Sequence, residues 1–588
     1  MTKLYSLKRF WQQILGQKKE FWATTFYGMA ATLLLLPIPM LIPLLIDEVL
    51  LGHPGKLTAF LSTTFGNSET WFLVLVTVIL VAILRMGAFV FSNQQSFYAI
   101  KITQRISYLL RHRILHHLER VCLSEYETLK SGGVVSKTIQ DVTGVSSFAS
   151  AFVSSFFSST LMLIGIAAVM LWMNWVLALL ILFLNPFFLA FSKVLGKKTG
   201  ELLRRQYKAY EVYNELLNET LELFIQVRAS NQEKNFFALI LDQSKEIENA
   251  SIDYGHKAAV AQRSSGLLTN TVIDIFRALG VVVVAYSDLS VGMMIAFLFY
   301  LSALNSPVQQ LMGLMISYQN TKPAIERINA LLKLKQEPHY PHEKNPFENV
   351  LTTSVTLKDV SFAYQYSNEV LSHINIEAKS GQKIALIGPS GSGKSTIAQI
   401  LVGLYRHKGG EICYNGVPIE QIGLPVIREN VALMLQESLF FNETIRMNLT
   451  LSKEISDEKI HEALRAAKLE TFVLSLENGL ESRIGKNGIR LSGGQKQRLA
   501  IARLILSNPK VVIFDEATSA LDNETEHQLY ETLEQFLKER TTIIIAHRTT
   551  TIKQADYIYL IEEGRVKAEG SYEELFSRGV IKEDMDLG

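Results

Sequence analysis

The sequence predicts a multidomain membrane protein, in which an all-α transmembrane domain of six helices precedes an α/β nucleotide-binding domain. Three observations predict it. The first half of the 588 residues carries six apolar, almost uncharged runs, each close to or above the roughly 20 residues a helix needs to cross a bilayer. The second half alternates short β-rich runs with helical ones, including Ile384–Ile387, Val511–Phe514 and Thr542–Ala546, the pattern of a largely parallel sheet. Between a strand and a helix of that half, Gly388-Pro389-Ser390-Gly391-Ser392-Gly393-Lys394-Ser395 fits the phosphate loop G-x-x-x-x-G-K-[ST].

Composition agrees with this division. A chain of this length exceeds one hydrophobic core. Charged residues make up 19% and hydrophobic ones 48%, and the formal net charge of +2 disfavours a nucleic-acid partner. Cys122 and Cys413 fall in segments placed in the cytosol, so they read as packing residues rather than a disulfide. The basic N-terminus precedes an apolar segment too long for a cleavable signal.

The expected spans are residues 22–46, 71–95, 148–172, 175–193, 267–286 and 293–316. Pro37, Pro39 and Pro43 predict kinks near the outer end of the first, since each removes a helical hydrogen bond. The second continues as a helix into water through Lys101 to Arg120. Spans three and four form a hairpin at Met173-Asn174, and a polar helical segment from Lys193 to Arg263 precedes the fifth. The Pro-containing stretch near Gln336 to Asn349 reads as a linker. The domains are therefore residues 1–330 in the membrane, 331–350 as linker, 351–580 as nucleotide-binding domain and 581–588 as tail.

Lys and Arg concentrate in the N-terminus and in segments 101–145 and 193–265. The 52–70 loop has only Lys56, and the 287–292 turn has none, which places both termini in the cytosol. Arg85, Asp274 and Arg277 are ionisable residues inside spans, where a charge requires a cavity or a partner. Asp274 and Arg277, three apart on a helix, either pair with each other or contact a substrate.

Around the phosphate loop further residues carry chemistry. The glycines let backbone N–H groups surround phosphate oxygens, Lys394 reaches the outer phosphates, and Ser395 can hold Mg²⁺. Thr396 opens the following helix. The apolar strand Val511–Phe514 ends in Asp515 and Glu516, the first suited to the Mg²⁺ shell and the second to polarising water.

Leu491-Ser492-Gly493-Gly494-Gln495, standing shortly before the acid-capped strand, resembles the signature of ATP-binding-cassette (ABC) transporters. Other elements match in order: Tyr364 resembles the family's adenine-stacking aromatic, Gln436 its Q-loop glutamine, Ser519-Ala520-Leu521-Asp522 its D-loop and His547 its switch histidine. The resemblance covers the whole chain and implies an α/β P-loop NTPase cassette behind six spans, the layout of bacterial exporter half-transporters such as lipid flippases and multidrug exporters. Ile42–Asp47, Asp141-Val142 and Glu326-Arg327 resemble exporter patterns of the membrane half. The resemblance also implies short coupling helices around His117–Ser124 and Asn214–Phe224. One departure is Lys486 in Ile484-Gly485-Lys486-Asn487-Gly488, where exporters usually carry an acidic residue.

The family reading implies a second half-transporter chain, with a homodimer favoured, because ATP lies between the phosphate loop of one cassette and the signature of another. It implies ATP and Mg²⁺ as ligands. Lys394, Gln436, Glu516 and His547 are the catalytic set, Ser395, Gln436 and Asp515 organise the metal, and Asp522 belongs to the nucleotide interface. The expected function is ATP-driven export or flipping of an amphipathic lipid, lipid-linked oligosaccharide, drug or peptide from the inner membrane of a bacterium. A membrane-tethered regulatory ATPase is the alternative. An importer component is disfavoured by the fused layout, and a protease-coupled peptide exporter by the short stretch before the first span.

Overall fold

The computed structural model describes residues 4–52, 70–127, 137–286, 290–364, 368–435, 439–485, 488–515, 533–546 and 549–581. The chain forms two compact units, Met1–Leu115 with Gly132–Lys333, and His116–Ser131 with Leu334–Gly588.

The first unit is helical. It opens with α1 (Leu7–Gly16), α2 (Lys18–Leu35) and α3 (Ile38–Leu44), and continues with α4 (Thr70–Leu118). The short α5 (Leu123–Glu127) lies within the segment that clusters with the second unit. Then come α6 (Val142–Met173), α7 (Trp175–Glu222), α8 (Phe224–Ala229), α9 (Glu233–Tyr286), α10 (Val291–Ala303) and α11 (Asn305–Leu332). Among the described residues, Lys18–Leu50, Trp71–Leu118, Ile139–Met173 and Val291–Leu332 are long and apolar enough to cross a membrane. The expected spans 175–193 and 267–286 fall on the continuous helices α7 and α9. At 49 residues α4 is about 74 Å long, far more than the roughly 30 Å hydrocarbon layer, so it extends into water.

The prolines break the first span where expected. The helix stops after Leu35, resumes over Ile38–Leu44 and ends in a π-helical turn, Leu45–Leu50. The Met40 amide donates to Pro37 O, leaving the Leu36 carbonyl without its helical donor, and the Tyr300 hydroxyl donates to it at 2.7 Å. A kink in a membrane helix is tolerated when a neighbour satisfies the freed group in this way. Just beyond, Asp47 accepts from the Ser290 hydroxyl and, at 3.0 Å, from the Gly292 amide, binding the end of the first span to the start of α10.

Over residues 205–251, α7 and α9 are joined by polar contacts: Arg205 to Glu246 at 2.8 Å, Gln206 to the Ser251 hydroxyl at 2.8 Å, and Gln243 to Ala209 O at 3.2 Å. The N-terminus of α6 is held to α11 by Asp141, which accepts from Arg327 Nε at 3.1 and 3.0 Å and from Nη2 at 2.6 Å. The Asp141 side chain is 9% exposed and Arg327 52%. Loss of the guanidinium leaves a nearly buried carboxylate without its fork partner, so Arg327→Gln is expected to cost about 1–3 kcal/mol. The apparent melting midpoint in detergent should fall by several degrees, with Asp141→Asn restoring part of the loss in the double variant. Melting at the wild-type midpoint would remove this clamp from the account.

The short helices lie a few residues beyond the positions that the resemblance implied. They are Leu123–Glu127 and Phe224–Ala229, because α4 runs to Leu118 and helix-forming residues carry α7 through Asn214 to Glu222.

The second unit holds two sheets. The antiparallel one has the order β2 (Leu371–Ala378), β1 (Val355–Phe362), β4 (Gly409–Tyr414), β5 (Val417–Pro418). The other has the order β10 (Arg565–Gly570), β9 (Tyr557–Glu562), β3 (Lys383–Ile387), β8 (Thr541–Ile545), β7 (Val511–Asp515), β6 (Val431–Met434), and is parallel except at β10. Its central strands read as continuous apolar runs because both faces are covered. One core cluster joins both sheets with α12 (Lys394–Leu401). A second is built by α13 (Ile445–Thr450), α14 (Asp457–Ala466) and α15 (Gly493–Ser507). Among the described cysteines, Cys413 is buried, Cys122 is half-buried and both are free thiols.

Candidate nucleotide site

The phosphate loop joins β3 to α12, so it leaves the carboxyl edge of a parallel sheet and ends at a helix N-terminus, where amides and dipole favour an anion. Gly388, Gly391 and Gly393 have φ of +141°, +79° and +105°. At Gly388 a Cβ would lie 2.0 Å from Ile561 O of the adjacent β9, so the loop can turn here only with glycine. The Lys394 ammonium folds back over the loop and donates to Gly388 O at 2.7 Å and Pro389 O at 2.8 Å. The buried Ser392 hydroxyl has no hydrogen-bond partner. An orphaned donor beside a ring of amides and a buried ammonium fits a bound polyphosphate.

Ser395 is exposed on the first turn of α12. Asp515 ends β7, and β8 alone separates β7 from β3, so the acid-bearing edge lies roughly 10 Å from the loop strand. These hydroxyl and carboxylate oxygens are the donor type that Mg²⁺ takes. Glu516, Asp522, Gln436 and His547 lie outside the described residues, as do Lys486 and Asn487 of the departing loop. The chain leads to three of them from the same edge: β6 ends two residues before Gln436, β7 one before Glu516 and β8 two before His547.

The Tyr364 ring stands edge-on to Phe362 at 4.9 Å and to Tyr405 at 5.2 Å between centroids. Its hydroxyl lies 3.0 Å from Thr396 Oγ1 and 3.3 Å from Gln399 Oε1, which ties this aromatic to the helix of the phosphate loop. Tyr405 in turn donates to Glu127 Oε1 at 2.5 Å. Burial, reinforced by that carboxylate, pushes the Tyr405 phenol well above its usual range. The segment carrying Glu127 is further attached by a bridge between Val121 and Gln336, by the Cys122 amide to Lys335 O at 3.0 Å, and by the Glu337 amide to Arg120 O at 2.7 Å. A cavity of about 510 Å³ remains, lined by Cys122, Tyr340, Tyr364, Tyr405 and His407 among others. Gln399, Tyr405 and Glu127 carried no motif in the sequence, since each gains its place only from packing.

The Leu491–Gln495 stretch caps α15. Ser492 Oγ accepts from the Gln495 amide at 3.2 Å, and Gln495 Oε1 accepts from the Ser492 amide at 2.9 Å, a complete capping box. Gly493 is exposed, and a Cβ there would meet nothing within 4 Å. The phosphate-loop helix packs in the first core cluster and this helix in the second.

A polyphosphate cradle on a chain whose other half is bilayer-length helices defines a membrane-bound P-loop nucleotide hydrolase. Comparison with known proteins narrows the class. Residues 371–519 match the ABC transporter family, and residues 25–308 match the ABC transporter transmembrane region. An ATP-dependent lipid A-core flippase of Saccharophagus degradans is 32% identical over 90% of this chain and 89% of its own. The ABC transporter ATP-binding protein YknU of Bacillus subtilis, uncharacterized, is 30% identical over 96% and 94%. A solved bacterial Atm1-family ABC exporter with ATP bound shares the fold over 99% of this chain and 100% of its own, with a TM-score of 0.78 at 23% identity. The chain belongs to the ABC transporter family. It is an exporter-type half-transporter that binds ATP and couples its hydrolysis to export or flipping across a membrane.

Proposed function

We propose that two copies of this chain form the working transporter in a bacterial inner membrane, cassettes in the cytosol, moving a lipid-like amphipathic molecule outward by alternating access. The observation that carries the dimer is that one phosphate loop and one signature occur in the chain, each seated in its own core cluster. The flippase relatives support a lipid substrate, and the lysine and arginine distribution supports the orientation.

In this reading Tyr364 stacks on adenine, and the 388–396 loop holds the phosphates by its amides, Ser392 and Lys394. Ser395, Asp515 and Gln436 would hold Mg²⁺, which would supply charge neutralisation at the transferred phosphoryl group. Glu516 orients and deprotonates the attacking water. His547 and Lys394 stabilise charge on the departing phosphate. Residues Leu491–Gln495 and Asp522 of the second copy close the site, and this closure is what biases the spans between states.

The open space at Gly493 gives the test. Gly493→Asp is accommodated within its own chain and collides only with a nucleotide held by another. Chains carrying Lys394→Ala or Gly493→Asp should each hydrolyse ATP at under a tenth of the wild-type rate. Co-assembled, they form dimers with one intact composite site, and ATP occlusion should recover above the sum of the separate samples. No recovery in verified mixed dimers would refute the shared site.

A further inference from the structure

The fifth expected span, in α9, has three faces. Phe276 and Gly280 point inward: Phe276 is 2% exposed and stacks on Phe297 at 5.6 Å, and a Cβ on Gly280 would touch Met294. A second face carries Ile275, Leu279 and Val282, all apolar and exposed, as a lipid-facing surface should be. The third carries Arg263, Asn270, Asp274 and Arg277, all exposed, within an arc of about 60° at 3.6 residues per turn. This arc turns apolar at Val281. Arg277 Nη1 donates to Asp274 Oδ1 at 2.9 Å, with side chains 61% and 67% exposed.

A helix that already has a lipid-facing apolar side does not also turn a carboxylate and a guanidinium to lipid. We infer that the Arg263–Asn270–Asp274–Arg277 face lines a water-filled path through the membrane unit and receives the anionic headgroup of the transported amphiphile. The inference rests on the exporter reading and on residues 267–286 as a span. The arc holds two guanidiniums against one carboxylate, so its net charge favours an anion. Asp274 accepts from one nitrogen of a group with five N–H donors, which leaves the planar fork able to take an oxyanion. Asn270 adds an amide donor, and Arg263 stands about 21 Å from Arg277 towards the cytosolic end of the helix. Charged and polar side chains thus repeat along the route while apolar chains can remain against the neighbouring lipid face.

The test uses the full chain in nanodiscs with Cys122→Ser and Cys413→Ser, carrying either Asn270→Cys or Val282→Cys. Anionic sulfonatoethyl and cationic trimethylammonioethyl methanethiosulfonates are the probes. Asn270→Cys should react at least tenfold faster than Val282→Cys. Its anion-over-cation rate ratio, normalised to a free thiol, should be at least threefold and should fall to one or below with Arg277→Gln. Dodecyl phosphate should slow its labelling only when Arg277 is present, whereas dodecyltrimethylammonium should not. Equal labelling of the two faces, an unreactive Asn270→Cys as in a packed protomer contact, or an anion preference indifferent to Arg277→Gln would each overturn the proposal. Labelling needs no ATP turnover, so failure of the export reading appears instead in the mixed-dimer experiment or in vesicle transport.

Discussion

Replacing Glu516 by Gln is expected to lower steady-state ATP hydrolysis by about 10²- to 10³-fold while leaving ATP affinity within a few-fold of wild type. β7 presents four apolar residues to the core and then delivers Asp515 at the carboxyl edge of the sheet. In the proposed reading the next residue, Glu516, is the carboxylate that takes a proton from the attacking water, and an amide there could still accept a hydrogen bond but could not take that proton. In the same reading Tyr364, the phosphate loop and the second copy's signature hold the nucleotide, and the substitution alters none of them. Binding and turnover should separate, with the closed dimer accumulating under ATP. Radiolabelled ATP retained after gel filtration, set beside phosphate release, makes the measurement. Hydrolysis at the wild-type rate would remove Glu516 from its assigned role.

Gly388→Ala is expected to weaken ATP binding at least about 100-fold, equivalent to about 2.7 kcal/mol, and to destabilise the cassette unit. Two effects add. The backbone at Gly388 has φ of +141°, which an L side chain rarely adopts, and the new methyl would lie 2.0 Å from Ile561 O. That carbonyl belongs to β9, whose parallel register with β3 pairs Ile387 with Leu560, so it cannot retreat without opening the ladder. The loop has to move instead, taking Ser392 and the Lys394 contacts with it. Gly416→Ala is the control: φ there is +75° and the space is open, so it should cost only about 1–2 kcal/mol in strain and leave ATP affinity unchanged. Titration with a fluorescent ATP analogue separates the two, and equal affinities in both variants would contradict the cradle geometry.

The nucleotide half was readable because its chemistry is local in the chain. Gly388–Ser395 forms its loop within eight consecutive residues, Ser492 caps its helix through Gln495, and Val511–Asp515 brings its carboxylate to the sheet edge by strand length alone. The prolines of the first span likewise announced its break. What escaped were partners far apart in sequence: the Leu36 carbonyl and Tyr300, Asp141 and Arg327, Tyr405 and Glu127. No spacing rule relates such residues, and their pairing depends on how helices and strands pack after they form.

The assignment of segments shows the same limit. Reading hydropathy in order places residues 101–145 with the membrane half, yet His116–Ser131 clusters with the cassette unit, attached to Lys335, Gln336 and Glu337 and through Glu127 to Tyr405. Asp274 and Arg277 were ambiguous as letters three apart. Their contact settles that they pair, and both side chains stay more than half exposed around it.

The sequence by itself determined the apolar runs, the phosphate loop, the acid-capped strand and the signature, because periodicity and motif spacing are properties of contiguous chain. Only the tertiary structure decided which donor the freed Leu36 carbonyl finds, which face of α9 stays open, and how Tyr364 and Tyr405 together link the phosphate-loop helix to Glu127. Those outcomes depend on side-chain packing between elements that no local spacing rule connects.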